Sequence, residues 1–327
     1  MTARPRTDVL VIGEVLVELS AGGPLETATE LRLGFSGDAL NAAAAAAAAG
    51  ASVALLTRVA DDELGVRMLE RIRGFGIDAS AVSMVGGQHG LYFVGADPDG
   101  QREFVYARRG SAASALSPAD LDRFDPADAA VTLCSGITGA ISGSAAETVL
   151  AAAQRAADAG RAFVYDPNFR PRLTTADQAA EQLRRLAPLA RLVLPSCPGE
   201  TGALLDATDP GTAASAVRAL GARAAAVTCG PDGIVVDDGD GQTWVDPVPP
   251  RAVVDQTGAG DAFAGTVAAR LALGDDLLAA ARIGASAASL SLQGRGGTGF
   301  VPSLAETLAH LAQASAGPIP TIPGGRP

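Results

Sequence analysis

From residue 129 onward the sequence repeats one unit: a short apolar run rich in β-branched residues, then a longer stretch of helical periodicity. Strands are predicted over 131–135, 162–165, 192–194 and 225–228. Helices are predicted over 144–159, 175–186, from 199, over 212–220, and, as a closing pair, over 258–273 and 277–292. Strands separated by helices pair in parallel through right-handed crossovers, and the helices cover both faces of the sheet. The fold class is therefore α/β with a mostly parallel central sheet. The first third breaks the pattern. It offers strands beginning at Asp8 and over 31–35 and 52–59, and helices over 41–49 (with Gly50 as its C-cap) and 62–73. Short β-like pieces follow at 83–85, 91–96 and 103–107, with Asp97-Pro98-Asp99-Gly100 as a hairpin turn. These pieces read as a small β element projecting from the sheet, with lid segments at about 14–36 and 83–110 inserted in a single domain spanning 1–314. A Gly/Asp-rich stretch at 233–246 reads as another hairpin. Residues 315–327 hold four prolines and three glycines and are expected to be a disordered tail.

Composition then narrows the function. At 327 residues and 48% apolar content, there is enough chain for a large buried core. The net charge of −11 weighs against nucleic-acid and anionic-membrane partners. All 25 basic residues are arginine, which excludes Schiff-base and pyridoxal enzymes and the lysine of P-loop ATPases. Two histidines, His89 and His310, are too few for a multi-histidine metal centre. Cys134, Cys197 and Cys229 follow no zinc or disulfide spacing. The apolar run from Val9 is interrupted by Glu14 and Glu18, and no stretch reaches the ~20 apolar residues of a membrane span. The expectation is a soluble cytoplasmic protein.

The chemistry concentrates in Asp255-Gln256-Thr257-Gly258-Ala259-Gly260-Asp261, between an apolar pair (Val253, Val254, read as a strand) and a helix. Two glycines let successive N–H groups converge at a helix N-terminus, a geometry that binds anions. Asp261 in the first turn could take a proton from an attacking hydroxyl. On residues alone, the same pattern also describes an ordinary capped helix start.

The segment resembles the D-T-x-G-A-G-D signature of the PfkB (ribokinase-like) carbohydrate kinases, with Gln256 as the departure. Ser36-Gly37-Asp38-Ala39-Leu40-Asn41 resembles the family's G-G-D-x-x-N substrate loop, with Ser36 in place of a glycine. Gly13-Glu14 and Glu18 resemble the opening strand whose acid faces the sugar, and Thr228-Cys229-Gly230-Pro231-Asp232-Gly233 resembles its nucleotide loop. The resemblance spans roughly residues 8 to 305. It implies a three-layer fold with a β-sheet lid, ATP and Mg²⁺ as cofactors, and Asp261 as catalytic base. It implies an anion hole from Gly258, Ala259 and Gly260, and nucleotide contacts from Thr228, Gly230, Gly233, Thr257, Gly258 and Gly260. Glu200, in Cys197-Pro198-Gly199-Glu200, matches the acid of N-x-x-E that organises Mg²⁺ through water; Cys197 replaces the asparagine and reads as packing or a retuned metal shell. Some relatives hold a monovalent cation near Asp255. Homodimers clasped through the lids are the family's usual assembly. Gly294, Gly296 and Gly299 satisfy G-x-G-x-x-G but follow a helix, so the dinucleotide reading fails.

Tyr106-Ala107-Arg108-Arg109-Gly110-Ser111-Ala112 resembles the Y-x-R-x-x-S-A segment of the 2-keto-3-deoxygluconate kinases within that family, and Asp166-Pro167-Asn168-Phe169-Arg170 agrees. A sugar acid carries a carboxylate, and guanidinium groups bind carboxylates bidentately. The implied substrate set is Gly37, Asn41, Tyr92, Tyr106, Arg108, Arg170 and Glu18. Adjacent strand residues face opposite ways, so Arg108, two after Tyr106, is preferred over Arg109. The alternatives are a fructokinase- or ribokinase-type kinase of neutral sugars, and a non-catalytic sugar-acid sensor on the same fold.

Overall fold

The structure, a computed structural model, describes residues 6–95 and 104–316. Strand β1 (Thr7–Ile12) lies inside a large sheet. The chain then leaves that sheet for β2 (Leu16–Ser20) and β3 (Arg32–Ser36) and returns through helix α1 (Asp38–Ala48) to β4 (Val53–Ala60). Helix α2 (Glu63–Gly74) leads to the edge strand β5 (Val82–Val85), and a second excursion makes β6 (Gly90–Val94) and β7 (Phe104–Ala107). The alternating portion follows: β8 (Ala129–Ser135), α3 (Gly136–Ala140), α4 (Gly143–Asp158), β9 (Ala162–Asp166), α5 (Ala176–Leu186), β10 (Leu192–Val193), α6 (Gly199–Leu205), α7 (Pro210–Ala219) and β11 (Ala225–Thr228). A hairpin of β12 (Ile234–Asp237) and β13 (Gln242–Val245) precedes α8 (Ala259–Ala272), α9 (Leu277–Ser291) and α10 (Leu304–Ala316).

The large sheet has the order β13-β12-β11-β10-β9-β8-β1-β4-β5, parallel except at the β11-β12-β13 end. Alternation along β1 divides the core in two. Val9 and Val11 join a cluster with α1, α8 and α9; Leu10 and Ile12 join one with α4, α5 and α7 on the other face. The alanine content of α1 has a structural use here. A Cβ at Gly265 of α8 would lie 2.0 Å from the Ala42 carbonyl oxygen, so only small side chains permit this approach. The chain departs from β1 toward β4 on one side and β8 on the other. That reversal opens a crevice at the carboxyl ends of the strands.

The second sheet, β3-β2-β6-β7, stands over this crevice as a lid. Its register sets Gly34, Glu18, Tyr92 and Tyr106 in one row across four strands.

Four expectations need correction or restriction. Residues 83–85 do not belong to the lid: β5 pairs in parallel with β4 at the edge of the large sheet, its first two side chains buried. Val253 and Val254 form no strand; the Val254 and Asp255 N–H groups donate instead to the Leu292 carbonyl beyond α9. Helix α10 was not foreseen and takes in Ser315, which was assigned to the tail. The Asp97–Gly100 turn, Arg102, Glu103 and residues 317–327 lie outside the described residues, although β6 and β7 pair antiparallel on either side of that turn. Among the described residues, no helix is long and apolar enough to cross a membrane.

Candidate active site

Between lid and sheet lies a cavity of about 1360 Å³. On the side where the family resemblance would place phosphate, Gly258 adopts φ 82°, a left-handed turn that only glycine makes without strain, and starts α8. Asp255 braces the turn: one carboxylate oxygen accepts the Thr257 N–H at 2.8 Å and the other the Gly296 N–H at 2.8 Å. The Ala259 N–H is spent on the Gln256 carbonyl at 3.3 Å. Among the described residues, the N–H groups of Gly258 and Gly260 have no protein acceptor, so the expected three-amide cradle reduces to two open donors at a helix N-terminus.

Asp261, half-buried beside these amides, is held from two directions. Asn41 Nδ2 in the first turn of α1 donates at 2.8 Å to one oxygen, and Asn168 Nδ2 beyond β9 donates at 3.3 Å to the other. Desolvation, reinforced by the nearby negative charge of Asp38, lifts its carboxyl to about 6, against the pull of both amides and Arg170. Such a group is ionised at neutral pH yet basic enough to accept a proton.

On the side where the resemblance would place the sugar, Gly37 (φ 118°) caps α1, and a Cβ there would sit 2.5 Å from the Glu14 carbonyl oxygen. Asp38 follows and forms part of the cavity wall, while its Oδ2 is buried and has no hydrogen-bond partner among the described residues. Lid residues Tyr92, Tyr106 and Arg108 line the same space, as do Arg170 and Arg172 from the segment after β9. Arg109 lines it too, contrary to the alternation argument. β7 ends at Ala107 and the backbone turns through Gly110 (φ 72°), so strand geometry no longer applies. Glu18 is placed differently from its expected role. It is buried, accepts the Tyr92 hydroxyl and the Gly297 N–H, and is absent from the cavity wall.

Of the expected nucleotide residues, Thr228, Thr257, Gly258 and Gly260 line the cavity, whereas Gly230 and Gly233 shape the turn behind it with positive φ. The exposed side chains of Val253 and Val254 form an apolar patch on the same wall. Glu200 faces the cavity, but its oxygens accept the N–H groups of Phe169 and Ser196. Burial raises both Glu200 and its neighbour Asp166, and Asp166 is pushed higher by the charges of Glu200 and Asp261. Among the described residues, no three acids, cysteines or histidines cluster closely enough to hold a metal by themselves. Of these groups, Asp166 and Glu200 are the carboxylates that would hold a divalent cation, and then through water. Glu14, Asp38, Asp166, Asn168 and Arg172 were not singled out from sequence. Glu14, Asp38, Asp166 and Asn168 lie within the segments that carry the family resemblance, and Glu14 stands out further as an acid amid an apolar run.

An anion-binding helix start beside a positioned carboxylate, facing a lid over the strand ends, is the layout of a sugar-phosphorylating enzyme. Residues 6–304 match the pfkB family of carbohydrate kinases, and the chain belongs to that family. Its fold is ribokinase-like: a PfkB protein from a Polaromonas species superposes with a TM-score of 0.83 at 31% identity, covering 93% of this chain and 99% of that one. A Thermoproteus tenax protein named 2-dehydro-3-deoxygluconokinase is 33% identical over 308 residues, 92% of this chain and 93% of its own. A Haloferax volcanii 2-dehydro-3-deoxygalactonokinase is 29% identical over 86% of this chain and 90% of its own.

Proposed function

We propose that this kinase transfers the γ-phosphoryl group of ATP to the terminal hydroxyl of 2-keto-3-deoxygluconate, giving the 6-phosphate and ADP. The observation that carries the choice of an acid is the gathering of guanidinium groups in the cavity, from the end of β7 and from the segment after β9. Arg108, Arg109, Arg170 and Arg172 all line the cavity that holds Asp261. A neutral hexose offers these groups only uncharged hydroxyls, whereas an acid end accepts two parallel N–H bonds from a guanidinium. The names of the two relatives above support the same substrate class.

In this reading Asp261 takes the proton of the terminal hydroxyl as its oxygen attacks phosphorus and the bond to the ADP oxygen breaks. Asn41 and Asn168 keep the carboxylate aimed. The open N–H groups of Gly258 and Gly260 receive the negative charge carried by the phosphoryl oxygens. Mg²⁺, held through water by Asp166 and Glu200, would neutralise phosphate charge. The lid excludes water that would otherwise hydrolyse ATP.

The test is ADP release over a panel of sugars and sugar acids. Turnover should be confined to 2-keto-3-deoxy acids, with the gluconate and galactonate forms compared directly. Preference for fructose or ribose would replace the acid reading with a neutral-sugar kinase. No turnover alongside measurable acid binding would mark a sensor.

A further inference from the structure

The chain crosses between body and lid four times, and one buried carboxylate sits where the crossings meet. Glu14 lies between β1 and β2 with no exposure to solvent. Its Oε1 accepts from Ser111 Oγ at 2.8 Å, and its Oε2 from Arg108 Nη1 at 3.2 Å. Arg108 and Ser111 belong to the last crossing, after β7. Gly90, at the start of β6, leaves the space for this contact: a Cβ there would meet Glu14 Oε1 at 2.6 Å and Arg108 Cβ at 3.1 Å. The Ser36-to-Asp38 crossing closes the group, with Gly37 against the Glu14 backbone and Asp38 near enough to raise the Glu14 carboxyl electrostatically.

Arg108 therefore has two obligations. Its guanidinium lies 4.8 Å from the Tyr106 ring centroid and its side chain is 10% exposed, yet it lines the cavity. An arginine without a partner samples many rotamers and must be ordered by the ligand it binds, at a cost in affinity. We propose that Glu14 is a positioning residue that holds Arg108 in place to receive the acid end of the substrate. This rests on the proposed acid reading, and it adds the residue on which that recognition depends. Glu14 itself stays out of the cavity. Burial lifts its carboxyl to about 7 even with Arg108 beside it, so the fold keeps an acid here at some expense.

A double-mutant cycle tests it on the full chain, with 2-keto-3-deoxygluconate and ATP varied separately and melting curves recorded. Arg108→Ala should raise KM for the keto acid by about tenfold or more, the scale of a lost charged hydrogen bond. Glu14→Gln, which keeps the size and the Ser111 contact, should raise the same KM about fivefold, with kcat and the KM for ATP within about twofold. The double variant should match Arg108→Ala, because Glu14 acts only through Arg108. An unchanged or lowered keto-acid KM in Glu14→Gln, or effects that multiply in the double variant, would overturn the proposal while leaving the acid reading intact. No effect of Arg108→Ala would end both. Should Glu14→Gln melt below the assay temperature, Ser111→Ala decides. It frees one Glu14 oxygen with Arg108 unaltered, and it must raise the keto-acid KM about twofold or more, again without a matching fall in kcat.

Discussion

The phosphate side of the cavity and its lid junction both hold charge in a dry place, but they are built on different scales. Residues 255–261 are contiguous: two glycines, a bracing aspartate and a helix start produce the open amides almost by themselves. At the junction, Glu14 is 94 residues from Arg108 and 97 from Ser111, so it and its two partners belong to different crossings of the chain. The first arrangement uses backbone N–H groups that any sequence carries, so it depends on conformation. The second uses side chains, so it depends on which ones meet. Removing a group on the phosphate side should damage the chemical step; removing one at the junction should damage recognition.

The sharpest break comes from Asp261→Asn, which removes the proposed base. It should lower kcat at least about 10²-fold, read by steady-state ADP release, with the melting temperature little changed. Near-normal turnover would show that the phosphate side does not need its carboxylate. Next comes acidity. Because Asp261 is raised to about 6, it is deprotonated above that pH and protonated below it. A pH profile of kcat should be level above neutrality and fall about tenfold per unit well below pH 6. Arg108→Ala then isolates the other region, with its loss confined to keto-acid KM at about tenfold while apparent ATP affinity stays near that of the parent. The smallest effect belongs to Gln256→Thr, which restores the residue usual in the family. Its side chain is exposed, and the bracing of this turn runs through the main chain and Asp255, so kcat should move less than about twofold.

How much of this was legible beforehand follows the same division. The sheet, its two helical layers and the 255–261 segment follow from short-range signals: apolar periodicity, glycine positions and an acid in a first turn. Val253 and Val254 misled, because a β-branched pair predicts a strand only where a neighbouring strand is free to pair; here the Leu292 carbonyl takes the N–H groups of Val254 and Asp255. Residues 83–85 went astray similarly, since a short β-like run carries no mark of which sheet it joins. Glu18 and Arg109 show the limit for side chains. The alternation rule placed Tyr106 and Arg108 on the cavity face, but it could not foresee that β7 ends one residue before Arg108.

The order of strands and helices, the sites where the backbone must turn left-handed, and the identity of the acid at 261 were set by the sequence alone, because each depends on neighbours a few residues away. Which carboxylates are buried, which of them turn inward to clasp Arg108 or Tyr92, and which amides stay open were decided only by tertiary packing. Desolvation and pairing depend on groups brought together from across the chain, and no local pattern encodes that encounter.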